Sequence, residues 1–93
     1  MKRPTQHSLE VQQQMVTRLN RVEGQIRGIK KMIESQTYCD DVINQIEASR
    51  AALKSIAIIM LESHIQTCVV DQIKDGDVAV VNEVLATVKR MVK

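Results

Sequence analysis

Apolar residues in the first third of the chain recur at alternating steps of four and three, the spacing of an amphipathic helix with a heptad seam. This spacing predicts a first helix from about Ser8 to about Ser35. Gly24 and Gly28 lie inside the helix, and each costs about 1 kcal/mol of helix propensity relative to alanine. We interpret the two glycines as a face that another helix backbone can approach closely. The seam consists of Met15, Leu19, Val22, Ile26, Ile29 and Ile33.

A second helix is predicted to begin at Thr37, a good N-cap, because Asp40 and Asp41 then place negative charge near the positive end of the helix dipole. No glycine or proline follows until Gly76, so the helix is expected to run unbroken to that point. Asp77 can then cap a third helix. The chain is therefore predicted to be all-α, with a three-helix protomer in a single domain spanning residues 1–93.

The composition supports a helix bundle. The chain has 93 residues, with no Trp, no Phe, one Tyr and one Pro. A chain of this length buries little core alone, and oligomerisation is a common remedy. Two cysteines do not make a secreted disulfide framework, and the longest apolar run, residues 56–61, is too short to span a bilayer. We expect a cytoplasmic protein that does not enter a membrane.

Charge is unevenly distributed along the chain. Residues 1–35 contain seven basic and three acidic residues, whereas residues 36–75 contain three basic and six acidic residues. Repeated over a symmetric oligomer, a basic first helix could form a surface suited to a phosphate backbone, although a basic helix face is more often simply solvated. The basic residues inside this helix are Arg18, Arg21, Arg27, Lys30 and Lys31.

Three residues, Cys39, His64 and Cys68, are candidates for a metal site. His64 and Cys68 are four residues apart, so they lie on one face of a helix. Cys39 lies 25 residues before His64, roughly 37 Å away along the same helix. One ion can join all three only if Cys39 comes from a second, antiparallel subunit. Two thiolates and one imidazole suit Cu(I) best, and Zn(II) or Ni(II) if further ligands complete the site.

Two stretches of the chain resemble the copper-sensing operon repressor (CsoR) family of bacterial transcriptional repressors. The stretch from Arg18 to Ile29 reads RLNRVEGQIRGI, which is similar to the family's Arg-x-x-Gly-Gln-x-x-Gly-Ile motif. The cysteine, histidine and cysteine of the candidate metal site also match the ligand spacings of the copper sensors. The resemblance extends over essentially the full length of the chain.

The resemblance implies an all-helical dimer with an antiparallel core, paired into a disc-shaped tetramer without a helix-turn-helix. It also implies that Cys39 of one subunit binds Cu(I) together with His64 and Cys68 of its partner. In relatives, the residues that match Tyr38 and Glu83 link the ligand histidine to the rest of the protein. The match of Glu83 requires a one-residue deletion near position 76.

The ligand set distinguishes among the signals that this family senses. Formaldehyde-responsive relatives generally lack the cysteine at position 68, and persulfide-responsive relatives lack the histidine at position 64. Nickel and cobalt sensors add an N-terminal histidine, and His7 lies 32 residues before Cys39, the spacing that those sensors use. We favour the interpretation that residues 1–7 form a disordered arm, because three soft ligands satisfy Cu(I) without His7, whereas four-coordinate Ni(II) would need it.

The resemblance therefore implies a copper(I)-responsive repressor that binds double-stranded operator DNA in the metal-free state and releases it on binding Cu(I). The basic residues of the first helix are the expected DNA contacts. The alternatives are a Ni(II)-responsive repressor, a thiol-based persulfide or redox switch, and a metal-trafficking protein. We do not expect an enzyme, because no nucleophile is paired with a base and an orienting third group.

Overall fold

The computed structural model describes residues 7–92, so most of the predicted N-terminal arm lies outside the described residues. These residues form an all-α fold, as predicted. The long second helix is interrupted by one turn of π-helix, which we call the π turn. The elements are α1 (Leu9–Glu34), α2 (Cys39–His64), the π turn (Ile65–Val69), α3 (Val70–Lys74) and α4 (Ala79–Met91).

Helices α1 and α2 form an antiparallel hairpin whose core uses half of the predicted seam. Met15 and Val22 are buried against Ile56 of α2. The intervening seam residues Leu19 and Ile26 are exposed in the protomer. Since both sets repeat every seven residues, α1 turns one apolar stripe toward α2 and leaves a neighbouring stripe uncovered.

Helix α2 contacts α1 through a second heptad series, in which serines alternate with apolar residues. Val42, Ser49, Ile56 and Ser63 are all buried and are spaced seven apart. The Ser49 hydroxyl donates to Oε1 of Gln25 on α1, with an oxygen–oxygen distance of 3.1 Å. Buried hydroxyls need such partners because an unpaired polar group in a core is costly.

The turn between α1 and α2 fixes where the second helix begins. Gln36 has a left-handed backbone (φ 56°), and its N–H donates to the carbonyl of Ile33. The N–H of Thr37 donates to the carbonyl of Met32, which completes a Schellman-type helix end. Because Thr37 closes this turn, the N-cap of α2 is Tyr38, which makes no side-chain capping hydrogen bond. The prediction that Thr37 caps α2 was therefore wrong by one residue.

The turn before α4 has the same construction around Gly76, whose φ is 92°. The N–H of Gly76 donates to the carbonyl of Ile73, and the N–H of Asp77 donates to that of Gln72. Asp77 therefore belongs to the end of α3. The N-cap of α4 is Val78, without a side-chain capping bond, so the predicted role of Asp77 as the cap was wrong.

The predicted close approach at the two glycines does not occur within the protomer. A Cβ added at Gly24 would lie 3.8 Å from the guanidinium of Arg27, a residue of the same helix. A Cβ added at Gly28 would have no neighbour within 4 Å. No described helix of the same chain therefore explains the glycines.

A second set of apolar residues lies uncovered on the hairpin. The protomer as a whole measures 56 Å in its longest dimension. Cys39–Lys74 is long and apolar enough to cross a membrane by length and composition alone, and only 18% of its most apolar window is buried. Core helices of soluble assemblies meet the same criterion. We call the uncovered residues the open seam: Leu19, Ile26, Ile33, Ile46, Leu53 and Met60.

Candidate metal and nucleic-acid sites

Two of the predicted metal ligands lie at opposite ends of α2. Cys39 is the first residue of this helix, His64 is the last, and Cys39 is exposed. A 26-residue α-helix is roughly 39 Å long, so one protomer does not bring the two side chains together. Accordingly, no group of three His, Cys, Asp or Glu side chains within the described residues could hold a metal ion.

The backbone of Cys68 lies in the π turn, although its side chain is outside the described part of the structure. The N–H of Val70 bonds to the carbonyl of Ile65, five residues earlier. The hydroxyl of Thr67 donates to the carbonyl of Ser63 at 2.7 Å. A threonine hydroxyl that bonds the i−4 carbonyl perturbs helix geometry, and π turns are frequent at functional sites. The sequence contained no glycine or proline that would have indicated this interruption.

The structure places His7 against the carboxyl end of α2. Its Nδ1 lies 2.7 Å from the hydroxyl oxygen of Ser63, which is buried. His7, the last residue of the arm expected over residues 1–7, thus contacts the hairpin, while residues 1–6 lie outside the described range. Sequence reasoning missed Ser63. Its heptad spacing from Val42 and Ile56 was the signal that could have identified it as an inward-facing residue.

A groove of about 620 Å³ lies between the carboxyl half of α2 and helix α4. His64 and Glu83 both line it, so the two residues that the resemblance connects do share one surface. Gln72 and Arg90 also line the groove. Tyr38 lies at the opposite end of α2 and is 69% exposed, so it can approach His64 only from another protomer.

The five basic residues expected to contact DNA are all exposed on α1, but they do not form one face. At about 100° per residue, Arg27 and Lys31 lie on the side of α1 that faces away from α2, and Lys30 and Arg21 lie on its two flanks. Arg18 lies nearest the side that packs on α2. The five cations are therefore spread around the exposed surface of α1.

Comparison with known proteins gives a consistent result. Residues 11–90 match the family model of metal-sensitive transcriptional repressors. The copper-sensing transcriptional repressor CsoR of Bacillus subtilis is 44% identical over 81 residues, which cover 86% of this chain and 80% of that protein.

Two solved structures are also similar to this chain. The copper-sensing repressor CsoR with Cu(I) from Geobacillus thermodenitrificans is 34% identical, with a TM-score of 0.84, and the match covers 100% of this chain and 94% of the other. The nickel-responsive transcriptional regulator InrS is 32% identical, with a TM-score of 0.67, and the match covers 99% and 96% of the two chains.

Proposed function

Because the chain belongs to the metal-sensitive transcriptional repressor family, we propose that it is a copper(I)-responsive transcriptional repressor that acts in the cytoplasm. In this proposal the metal-free oligomer binds operator DNA and Cu(I) releases it. The observation that carries the proposal is the position of Cys39 and His64 at the two ends of α2. Two ligands separated in this way can bind the same ion only across two antiparallel subunits.

The open seam supports such an assembly. It places an apolar stripe along both helices of the hairpin, beside the stripe that is already buried. Burial of large apolar side chains contributes about 1.5–3 kcal/mol each, so a seam of this length favours association strongly. An antiparallel dimer through the hairpin would bring the amino end of one α2 to the carboxyl end of the other.

The chemistry of the donors fits Cu(I). Cys39 of one subunit would bind the ion with the partner subunit's His64 and Cys68, giving two thiolates and one imidazole, a soft set of low coordination number. The ion would link the two subunits by coordination bonds, in addition to their apolar contact. Because Glu83 of α4 lines the same groove as His64, a change in the orientation of the His64 ring can be transmitted to α4.

The DNA surface is proposed to include the exposed cations of α1. Three exposed charges lie within five residues of α1, on Arg27, Lys30 and Lys31, and Arg18 and Arg21 extend the basic surface around the helix. Phosphate contacts of this kind supply much of the affinity for DNA and make it depend on salt. Since coupling between two ligands is reciprocal, DNA must weaken Cu(I) binding by the same factor by which Cu(I) weakens DNA binding.

A complementation experiment tests the cross-subunit site. Neither Cys39→Ser nor His64→Ala protein is expected to bind Cu(I) tightly under anaerobic competition with a chelator. Mixed dimers of the two variants retain one intact site, formed by Cys39 of the His64→Ala subunit and by His64 and Cys68 of the other. Recovery of tight Cu(I) binding on mixing supports the proposal. Failure to recover, with dimers shown to exchange, would contradict it.

Release of DNA is tested separately by fluorescence anisotropy with DNA from upstream of the protein's own gene. Wild-type protein is expected to dissociate when one Cu(I) per protomer is added, and His7→Ala serves as a matched histidine control that should respond normally. Dissociation by polysulfide or diamide, with no response to Cu(I), would instead identify a thiol switch. Cu(I) binding without any effect on DNA would identify a trafficking protein.

A Ni(II)-responsive repressor is the second candidate, and one observation favours it. His7 lies beside Ser63, the residue before His64, so an additional imidazole is near the carboxyl end of α2, although it would have to leave its bond to Ser63 in order to bind a metal. Four-coordinate Ni(II) binding that is lost in His7→Ala, together with weak Cu(I) binding, would establish this candidate in place of the first.

A further inference from the structure

We propose that Ser63 is a specificity-determining residue, which holds His7 away from the metal site and thereby favours a three-coordinate metal over a four-coordinate one. This inference rests on the proposed function, since it concerns the metal that the same site selects. It assigns a role to a buried serine that none of the candidate ligand sets includes.

The hydrogen bond between His7 and Ser63 is short and partly protected from water. Nδ1 of His7 lies 2.7 Å from Oγ of Ser63. Ser63 is only 6% exposed, and its hydroxyl projects from the heptad position that faces α1. His7 precedes Ser8, the N-cap of α1, so the bond fastens the start of α1 to the end of α2.

His64 projects in a different direction from Ser63. Successive residues of an α-helix are rotated by about 100°. Ser63 therefore faces the start of α1, while His64 lines the groove between α2 and α4, in which His7 has no part. A His7 ring bonded to Ser63 is held about a quarter of a turn around α2 from the side where His64 lies.

This placement affects the two candidate metals differently. Three-coordinate Cu(I) uses Cys39, His64 and Cys68 and leaves the bond between His7 and Ser63 intact. A four-coordinate Ni(II) site that recruited His7 would have to move the ring away from Ser63 and lose the hydrogen bond. The bond therefore acts against Ni(II) and has no effect on Cu(I).

The test compares Ni(II) and Cu(I) affinities of Ser63→Ala and wild-type protein by chelator competition, without DNA. Ser63→Ala is expected to bind Ni(II) about two- to tenfold more tightly, the range that corresponds to one hydrogen bond. Its Cu(I) affinity should not change. The gain should vanish in the double variant His7→Ala/Ser63→Ala, and X-ray absorption of Ni(II)-loaded Ser63→Ala should show one more nitrogen ligand than that double variant.

A matched control and a metal-free readout complete the experiment. Ser55→Ala removes an exposed hydroxyl from the same helix and should leave both affinities unchanged. In the metal-free protein, the long-range ¹H–¹⁵N spectrum of His7 should report a hydrogen-bonded Nδ1 in the wild type and not in Ser63→Ala. Unchanged or weaker Ni(II) binding in Ser63→Ala would overturn the inference. Failure of Cu(I) to release DNA would overturn the proposed function and would leave this comparison intact.

Discussion

Replacing Ser49 with alanine removes a hydrogen bond that joins the two helices of the hairpin. Ser49 is 6% exposed, and its hydroxyl donates to Oε1 of Gln25, which is half-buried. Loss of one such bond costs about 0.5–1.5 kcal/mol, and a buried acceptor left without a donor costs about 1–3 kcal/mol. Because water can still reach the half-buried Gln25, we expect a destabilisation of about 1 kcal/mol.

Alanine also has a higher helix propensity than serine, which offsets part of this loss by up to about 0.5 kcal/mol. Ser55→Ala is the appropriate control, since Ser55 is exposed on the same helix and gains the same propensity. The free energy of unfolding should be measured in urea at one fixed protein concentration, because the stability of an oligomer depends on concentration. The difference between the two variants then reports the hydrogen bond alone.

A double-variant cycle with Gln25→Ala tests whether the two side chains act together. If they do, the coupling energy should be about 1 kcal/mol, and Ser49→Ala should cost little once Gln25 has been removed. Ser49→Ala and Ser55→Ala proteins of equal stability would refute the view that this hydrogen bond holds the hairpin in register.

Three further predictions concern the turn, the oligomer and the DNA surface. Gln36→Gly should raise the free energy of unfolding in urea by about 0.5–1 kcal/mol, since glycine relieves the left-handed backbone at this position; a lower stability would contradict the strain argument. Leu53→Glu should dissociate the proposed oligomer in sedimentation experiments, because Leu53 belongs to the open seam and is 45% exposed in the protomer. The adjacent control Lys54→Glu should remain assembled, and equal behaviour of the two variants would exclude the open seam as the interface. Lys30→Ala and Arg18→Ala should each reduce the slope of log affinity for DNA against log salt concentration by about 1; unchanged slopes would show that these cations do not contact phosphate.

Much of the helical architecture could be read from the residues themselves. The start of α1 was predicted at Ser8, whose side chain caps the helix by accepting from the N–H of Val11. The end of the α3 segment at Gly76 was predicted because glycine adopts a positive φ without strain. The turn at Gln36 was less visible, since a glutamine in the left-handed region is uncommon and gives no local signal. The N-cap of α2 was misplaced for this reason, whereas that of α4 was misplaced because the N–H of Asp77 closes the turn around Gly76.

The need for a second subunit at the candidate metal site could be predicted from the sequence, because it depends only on the length of one helix. The separation of Cys39 and His64 along α2 follows from a rise of 1.5 Å per residue, whatever the packing. The π turn that contains the backbone of Cys68 was not accessible, since no glycine or proline marks it, and the bond from the Thr67 hydroxyl to the carbonyl of Ser63 is seen only in the structure. Serine and threonine side chains can form several alternative local bonds to the backbone, and the tertiary structure around them determines which one forms.

The sequence by itself determined that this chain is helical, where its helices turn to within a residue or so, and that Cys39 cannot meet His64 within one protomer. Local rules suffice for these features, because helix periodicity and rise are properties of the backbone. Only the tertiary structure decided that Met15 and Val22 face α2 while Leu19 is left in the open seam. Only the tertiary structure paired His7 with Ser63, because the two residues are 56 positions apart and meet only when the hairpin closes.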